Sequence, residues 1–260
     1  MEKIELNIEQ LLKNPTGAYS SFFTSRERVK TELNARFYAL LRKQVNSRFE
    51  FKVFQKPLNG NFIFFIKVPS ETFDDLYYDV LLEFEAVSKE HKKSTTILDY
   101  KIRVFSNSPD FVFTYAYVVN KNDFLCSIAK KKLSTEALTQ EPKIKNPFEI
   151  YGFEKSCYYA CKFIKEFNLY TKPKIKDNLF MYNELKLLSL IKTDREKLQQ
   201  YKDKKEKKQK KKAKKATETK KTDIKYTTRD KHKSYGSSNN TSKPKAKKAV
   251  KSKKAKKKKV

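Results

Sequence analysis

The sequence predicts an α+β body, an antiparallel sheet of about four strands packed against helices, followed by a lysine-rich tail that is disordered or helical. Three observations carry this. Apolar residues recur at spacings of three and four in some windows and of two in others. An Asn59-Gly60 pair separates two of the period-two runs. The charge is also divided unevenly: residues 201–260 hold 27 Lys+Arg against 5 Asp+Glu, the first 200 hold 33 against 25, and the whole chain carries +30. The division places the body at 1–195 and the polycationic tail at 196–260.

Ile8, Leu11 and Leu12 make a short amphipathic turn that stops at Asn14-Pro15, because the residue before proline avoids the helical region. Val29, Leu33, Phe37, Leu40, Leu41 and Val45 then form one stripe of a helix over 25–46, capped by Thr24 or Ser25. Phe49, Phe51 and Val53 alternate with charged residues and predict a strand. Asn-Gly supplies the positive φ angles of a type I′ turn, so the run Phe62 to Ile66 reads as the second strand of a hairpin. Pro69 to Thr72 opens an expected helix whose face carries Phe73, Leu76, Tyr77, Val80, Leu81, Phe84 and Val87. Leu98, Tyr100, Ile102 and Val104 alternate as a third strand. Phe111 to Val119 is apolar on both faces and is expected as a central fourth strand. A short helix is expected after Ser134, a helix over Lys155 to Leu169 with Cys157, Cys161, Ile164 and Phe167 inward, and a last apolar helix over Leu179 to Ile191. Thr193 with Glu196 forms a capping box that starts the lysine-rich segment. That segment shows almost no apolar stripe, so a chain ending at residue 195 is expected to melt cooperatively by itself.

Composition excludes several classes of function. Four glycines, none closely spaced, rule out dinucleotide-binding and Walker A loops. Two histidines disfavour a His-based metal cage or triad. Three cysteines make no disulfide framework and suit a reducing compartment. No apolar run is long enough to span a membrane, and Met1 to Glu9 is too acidic for a secretory signal. No cofactor is expected. Lysine far exceeds arginine, and Phe, Tyr, Ile and Asn are abundant, as in translation of an AT-rich genome.

The candidate binding residues lie in the tail. Lys207, Lys208, Lys210, Lys211, Lys212, Lys214 and Lys215 form one cluster. Lys247, Lys248, Lys253, Lys254, Lys256, Lys257, Lys258 and Lys259 form another. Lysines are flexible point charges that release counterions from phosphates without reading bases, so the expected partner is nucleic acid, bound non-specifically. The same composition also serves as a solubilising tail or, in a eukaryotic host, a localisation signal. Three further candidates lie in the body. Aromatics of Phe111 to Tyr117 stack bases if that strand is exposed, though they fit a core as well. Asp99-Tyr100-Lys101 has the D-x-K spacing of restriction-type nucleases, with Glu83 or Glu85 as a helical acid, but the upstream Pro-Asp of that family is missing. Cys157 and Cys161, one turn apart, read as packed cysteines, and His91 as the cationic end of a helix.

The stretch Tyr100-Lys-Ile-Arg-Val-Phe-Ser-Asn-Ser-Pro-Asp-Phe-Val-Phe-Thr-Tyr-Ala-Tyr, continuing through Lys145-Asn146-Pro147 to Glu154-Lys155-Ser156, resembles uncharacterised proteins of tailed phages that infect AT-rich bacteria. It covers about residues 98–165. The resemblance implies phage origin and a virion or assembly role, and brings no catalytic motif. The expected function is therefore a non-enzymatic, nucleic-acid-associated protein of the virion or host cytoplasm. Its body would bind a protein partner or self-assemble, and its tail would contact nucleic acid. A cytoplasmic accessory factor for replication or RNA binding is the alternative, and a metal-dependent nuclease a further one.

Overall fold

The period-two segments after the second helix do pair. In the computed structural model, which describes residues 6–13, 26–42, 49–56, 61–143 and 154–230, β1 (Glu50–Gln55) and β2 (Phe62–Pro69) run antiparallel with Val53 opposite Phe64. The Lys56 N–H donates to Asn61 O at 2.9 Å where the ladder ends. The Asn59-Gly60 turn lies outside the described residues. β3 (Tyr77–Glu85) adds antiparallel to β2, and β4 (Lys101–Ser106) antiparallel to β3. β5 (Leu179–Phe180) lies parallel to β1, giving the order β4-β3-β2-β1-β5.

The sheet is thus mixed and five-stranded rather than antiparallel and four-stranded. Its parallel member is short: the chain reaches that edge from a helix, and only Leu179 and Phe180 match Val53 and Phe54 before the next helix begins. Two assignments also exchange. Residues 77–85, expected as helix, are a strand buried along both faces. Their apolar residues fit a helical stripe only because both faces are apolar, which periodicity cannot resolve. Residues 111–119, expected as a central strand, lie in α4 (Pro109–Thr114) and α5 (Ala116–Lys121). There Ser108 Oγ accepts the Phe111 N–H at 3.1 Å, Pro109 occupies the first turn and Asp110 faces the positive helix end. These start signals outweigh the β preference of the aromatic run.

The other helices follow the sequence more closely. α1 (Ile8–Lys13) buries Ile8, Leu11 and Leu12, and α2 (Arg26–Arg42) buries Val29, Leu33, Phe37 and Leu40. Asn14-Pro15, Thr24, Ser25 and Val45 lie outside the described residues. α3 (Lys89–Lys93) is short. A 3₁₀ helix (Ser127–Lys132) leads to α6 (Thr135–Thr139), the short helix expected after Ser134, and Ser134 caps it. α7 (Lys155–Glu166) is almost wholly buried on one face, with Cys157, Cys161 and Ile164 inward as expected; Phe167, also expected inward, is the residue that ends the helix and is half exposed. α8 (Lys172–Asp177) follows it. The expected helix over 179–191 is cut: Asn183 accepts the Lys186 N–H at 2.9 Å and starts α9 (Glu184–Leu190) only there.

α7 lies across β2, β3 and β4, and α1 and α2 pack on α7. Phe163 stacks on Phe49 with centroids 5.0 Å apart, and Ser156 Oγ meets Ser106 Oγ at 2.9 Å. The register places Phe54, Ile63, Phe65, Leu81 and Phe105 on the opposite face, together with Asp79 and Glu83. Two carboxylates in the middle of a buried sheet face require partners, because an unpaired buried charge costs several kcal/mol, ~3–5 when one partner is removed. Among the described residues no helix is long and apolar enough to cross a membrane.

Candidate nucleic-acid interface

The lysine-rich segment forms α10 (Asp194–Asp230). Its start is the predicted capping box: the Thr193 N–H and Oγ1 donate to Glu196 Oε2 at 2.7 and 2.8 Å, and the Glu196 N–H donates back to Thr193 Oγ1 at 3.2 Å. The first turns are fixed to the body by polar contacts. Asp194, buried, accepts the N–H and Oγ of Ser134 at 2.9 and 2.7 Å, which ties α10 to the cap of α6.

Lys197 is 5% exposed. Its Nζ donates to Tyr77 O at 2.6 Å and lies 3.9 Å from the Asp79 carboxylate. Burial lowers its pKa, and Asp79 opposes that shift. Asp79 Oδ2 also accepts from Asn107 Nδ2 at 2.8 Å and from the Lys192 N–H at 3.0 Å, while Asn107 Nδ2 reaches Lys192 O at 2.9 Å. One buried carboxylate on β3 thus gathers the approach to α10 and its first turn.

Further along, Tyr201 sets its ring edge-on against Phe73 at 5.5 Å, and Lys204 pairs with Asp75. Lys208 Nζ sits 5.4 Å from the Phe73 ring centroid. Positions 194, 197, 201, 204 and 208 repeat at intervals of three and four, so α10 does have a body-facing stripe, but a polar one. One compact unit runs from Met1 to Lys208. Gln209–Val260 form a second unit.

Lys207, Lys208, Lys210, Lys211 and Lys212 are all exposed on α10, and Lys214 and Lys215 lie on the same helix. Lys247, Lys248, Lys253, Lys254 and Lys256 to Lys259 lie outside the described residues. Like charges recur one turn apart, at 207 and 211, 208 and 212, 211 and 215. Each such pair weakens an isolated helix by about 0.2–0.5 kcal/mol, and an added polyanion relieves that strain. The chemistry offered is a dense, exposed array of ammonium groups.

No protein-family model, no curated protein and no solved structure matches this chain.

The other sequence candidates do not converge. Asp99 is exposed in a turn before β4, and Lys101 pairs with Asp123 at 3.5 Å. Glu83, on a strand rather than a helix, is sealed by Lys56 and Ser127, and Glu85 pairs with Arg103 at 3.4 Å. Among the described residues no group of three or more His, Cys, Asp or Glu is placed to hold a metal ion. The run Phe111 to Tyr117 is helical apart from Tyr115 at the junction of α4 and α5, so it forms no base-stacking strand; Phe111 and Tyr115 are buried, whereas Phe113 is exposed on α4. Cys157 and Cys161 are packed in the core, as is Cys126, and burial pushes each thiol up. His91 stands in the last turn of α3, stacked on Tyr100 at 5.5 Å.

Proposed function

We propose that this chain is a non-enzymatic nucleic-acid-associated protein whose lysine-rich helix binds phosphate backbones without reading sequence. The observation that carries the reading is the exposed lysine array on α10, continuous with a helix start held by buried contacts to β3. Lysine at this density neutralises many phosphates at once, and counterion release then dominates affinity. With phage origin implied by the stretch over residues 98–165, the protein serves as a virion or assembly component whose tail meets packaged nucleic acid, while the body engages a protein partner or further copies.

The salt dependence tests the reading. If about 8 lysines meet phosphates together, log K falls with log salt at a slope of about −7 on duplex DNA. A fourfold rise in salt then weakens binding by about four decades. A chain ending at residue 208 keeps the body and the helix start but loses most affinity. Retained, structure-selective binding by that shorter chain with a shallow slope overturns the proposal in favour of an accessory factor whose body engages the strand. Mass spectrometry of purified particles tests the virion assignment separately.

A further inference from the structure

The two edges of the sheet are treated differently. Beyond β4 the chain covers its own edge: the Ile102 N–H donates to Leu6 O at 2.8 Å, and Val104 bridges to Leu125. Beyond β5 no strand follows among the described residues. This open edge is apolar. Met181 is 90% exposed and Leu185 80%, with Leu179 and Phe180 exposed beside them. The Phe180 ring lies 6.0 Å from that of Phe54, which is buried. Leu179 to Tyr182, with Gln55 and Lys56, line a shallow depression of about 470 Å³. An open strand edge beside exposed large side chains is costly to leave bare and is a surface that strand addition uses.

The rim is cationic. Lys52 Nζ lies 5.6 Å from the Phe180 ring centroid, and Lys174, Lys176 and Lys186 are exposed on α8 and α9. Of the nearby acids, Glu184 is already held by Lys131 at 2.8 Å, which leaves Asp177 against four lysines. A second copy carries net positive charge in both its body and its tail, so an acidic partner complements this rim better.

We infer that the β5 edge docks an extended acidic segment of a protein partner, which adds a strand beside Leu179–Phe180. Its apolar residues would enter the depression around Met181, and its carboxylates would face Lys52, Lys174, Lys176 and Lys186. Main-chain pairing supplies affinity, and the alternation of apolar and acidic side chains supplies selectivity.

The probe is a short fluorescein-labelled peptide in which Glu alternates with Val and Phe, titrated with the full chain in about 0.3 M NaCl, where tail electrostatics are screened. The comparison is the triple variant Phe180→Ser, Met181→Ser, Leu185→Ser. It keeps every lysine and changes exposed side chains only, and its melting temperature verifies its fold. The expected result is about tenfold weaker binding by the variant, hydrogen-exchange protection of 179–181 on binding to the wild type, and no binding of the same peptide with Lys for Glu. Equal affinity of wild type and variant, or failure of the peptide to protect 179–181, overturns the inference. So does a concentration-dependent dimer that the triple variant abolishes, which assigns the edge to a second copy. Loss of oligo(dT) affinity in the variant equal to its loss of peptide affinity overturns it too, in favour of a base-stacking platform.

Discussion

Asp79→Ala should be among the most destabilising substitutions in the body. The carboxylate is 2% exposed and serves three donors: Asn107 Nδ2, the Lys192 N–H and, more loosely, the Lys197 ammonium. Alanine leaves Asn107 Nδ2 its bond to Lys192 O but strands the Lys192 N–H, and it leaves Lys197 buried without its countercharge. Each stranded buried donor costs about 1–3 kcal/mol. Breaking a buried ion pair from one side costs about 3–5 kcal/mol. The two routes agree on roughly 3–5 kcal/mol, a large part of the stability of an ordinary domain. Asp79→Asn keeps an acceptor and loses only the charge, so it should cost about half as much. Lys197→Met removes the buried cation while its stem still fills the channel, so combining it with Asp79→Asn should cost at least about 1 kcal/mol less than the sum of the two. Urea unfolding of the full chain, followed by tyrosine fluorescence and far-UV circular dichroism, measures all four values. A cost below about 1 kcal/mol for Asp79→Ala, or strict additivity of the pair, refutes the view that this network holds the start of α10.

Three other outcomes follow. A chain ending at residue 195 lacks Lys197, Tyr201 and Lys204, so it should melt on the order of 5–10 °C below one ending at residue 213; equal melting temperatures would show that those three contacts add nothing to the body. Glu154 caps α7 from a buried site where Oε2 accepts the Ser156 N–H at 2.9 Å and Oε1 has no partner. Burial, with the Asp110 carboxylate adding to it, raises its pKa from 4.5 to about 7. A carboxyl raised on folding contributes fully below the unfolded value, so stability from this group should fall by about 3 kcal/mol as pH rises from 4.5 through 7. Glu154→Gln should flatten the dependence of melting temperature on pH across that window, and an unchanged slope would assign it elsewhere. Cys126, Cys157 and Cys161 are fully buried, so a thiol reagent should label them only at the rate of unfolding; fast labelling of the native protein would contradict the packing.

Where one signal dominated, the sequence was legible. Stripes of α1 and α2, that of α7 as far as Ile164, the paired strands β1 and β2, the short helix after Ser134 and the Thr193–Glu196 box stand as expected, because each is a local pattern with a local cause. The exchange of β3 for α4 and α5 shows where local pattern fails. Tyr77 to Glu85 is buried on both faces, so apolar spacing carries no period. Asp79 and Glu83 look like the polar side of a helix, yet both lie within the core, held by Asn107 and Lys197 or by Lys56 and Ser127. Those partners are distant in sequence, and nothing near Asp79 announces them. Ser108-Pro109-Asp110, by contrast, is a legible helix start that the aromatic residues after it obscured.

The lysines of α10 divide by environment rather than by sequence. Lys197 and Lys211 both stand in runs of polar residues, and composition treats them alike. Lys197 is buried because position 197 falls on the body-facing stripe and Asp79 waits opposite; Lys211 is exposed. The first turns therefore use charge as an interior ligature, for which one carboxylate at one distance matters. The later turns use charge as density, for which no single lysine matters. A desolvated pair is insensitive to salt, whereas an exposed array is governed by it. Raising ionic strength should consequently remove nucleic-acid affinity while leaving α10 fixed to β3. For the same reason, lysine replacements aimed at binding must spare Lys197 and Lys204, or loss of the helix start will masquerade as loss of the interface.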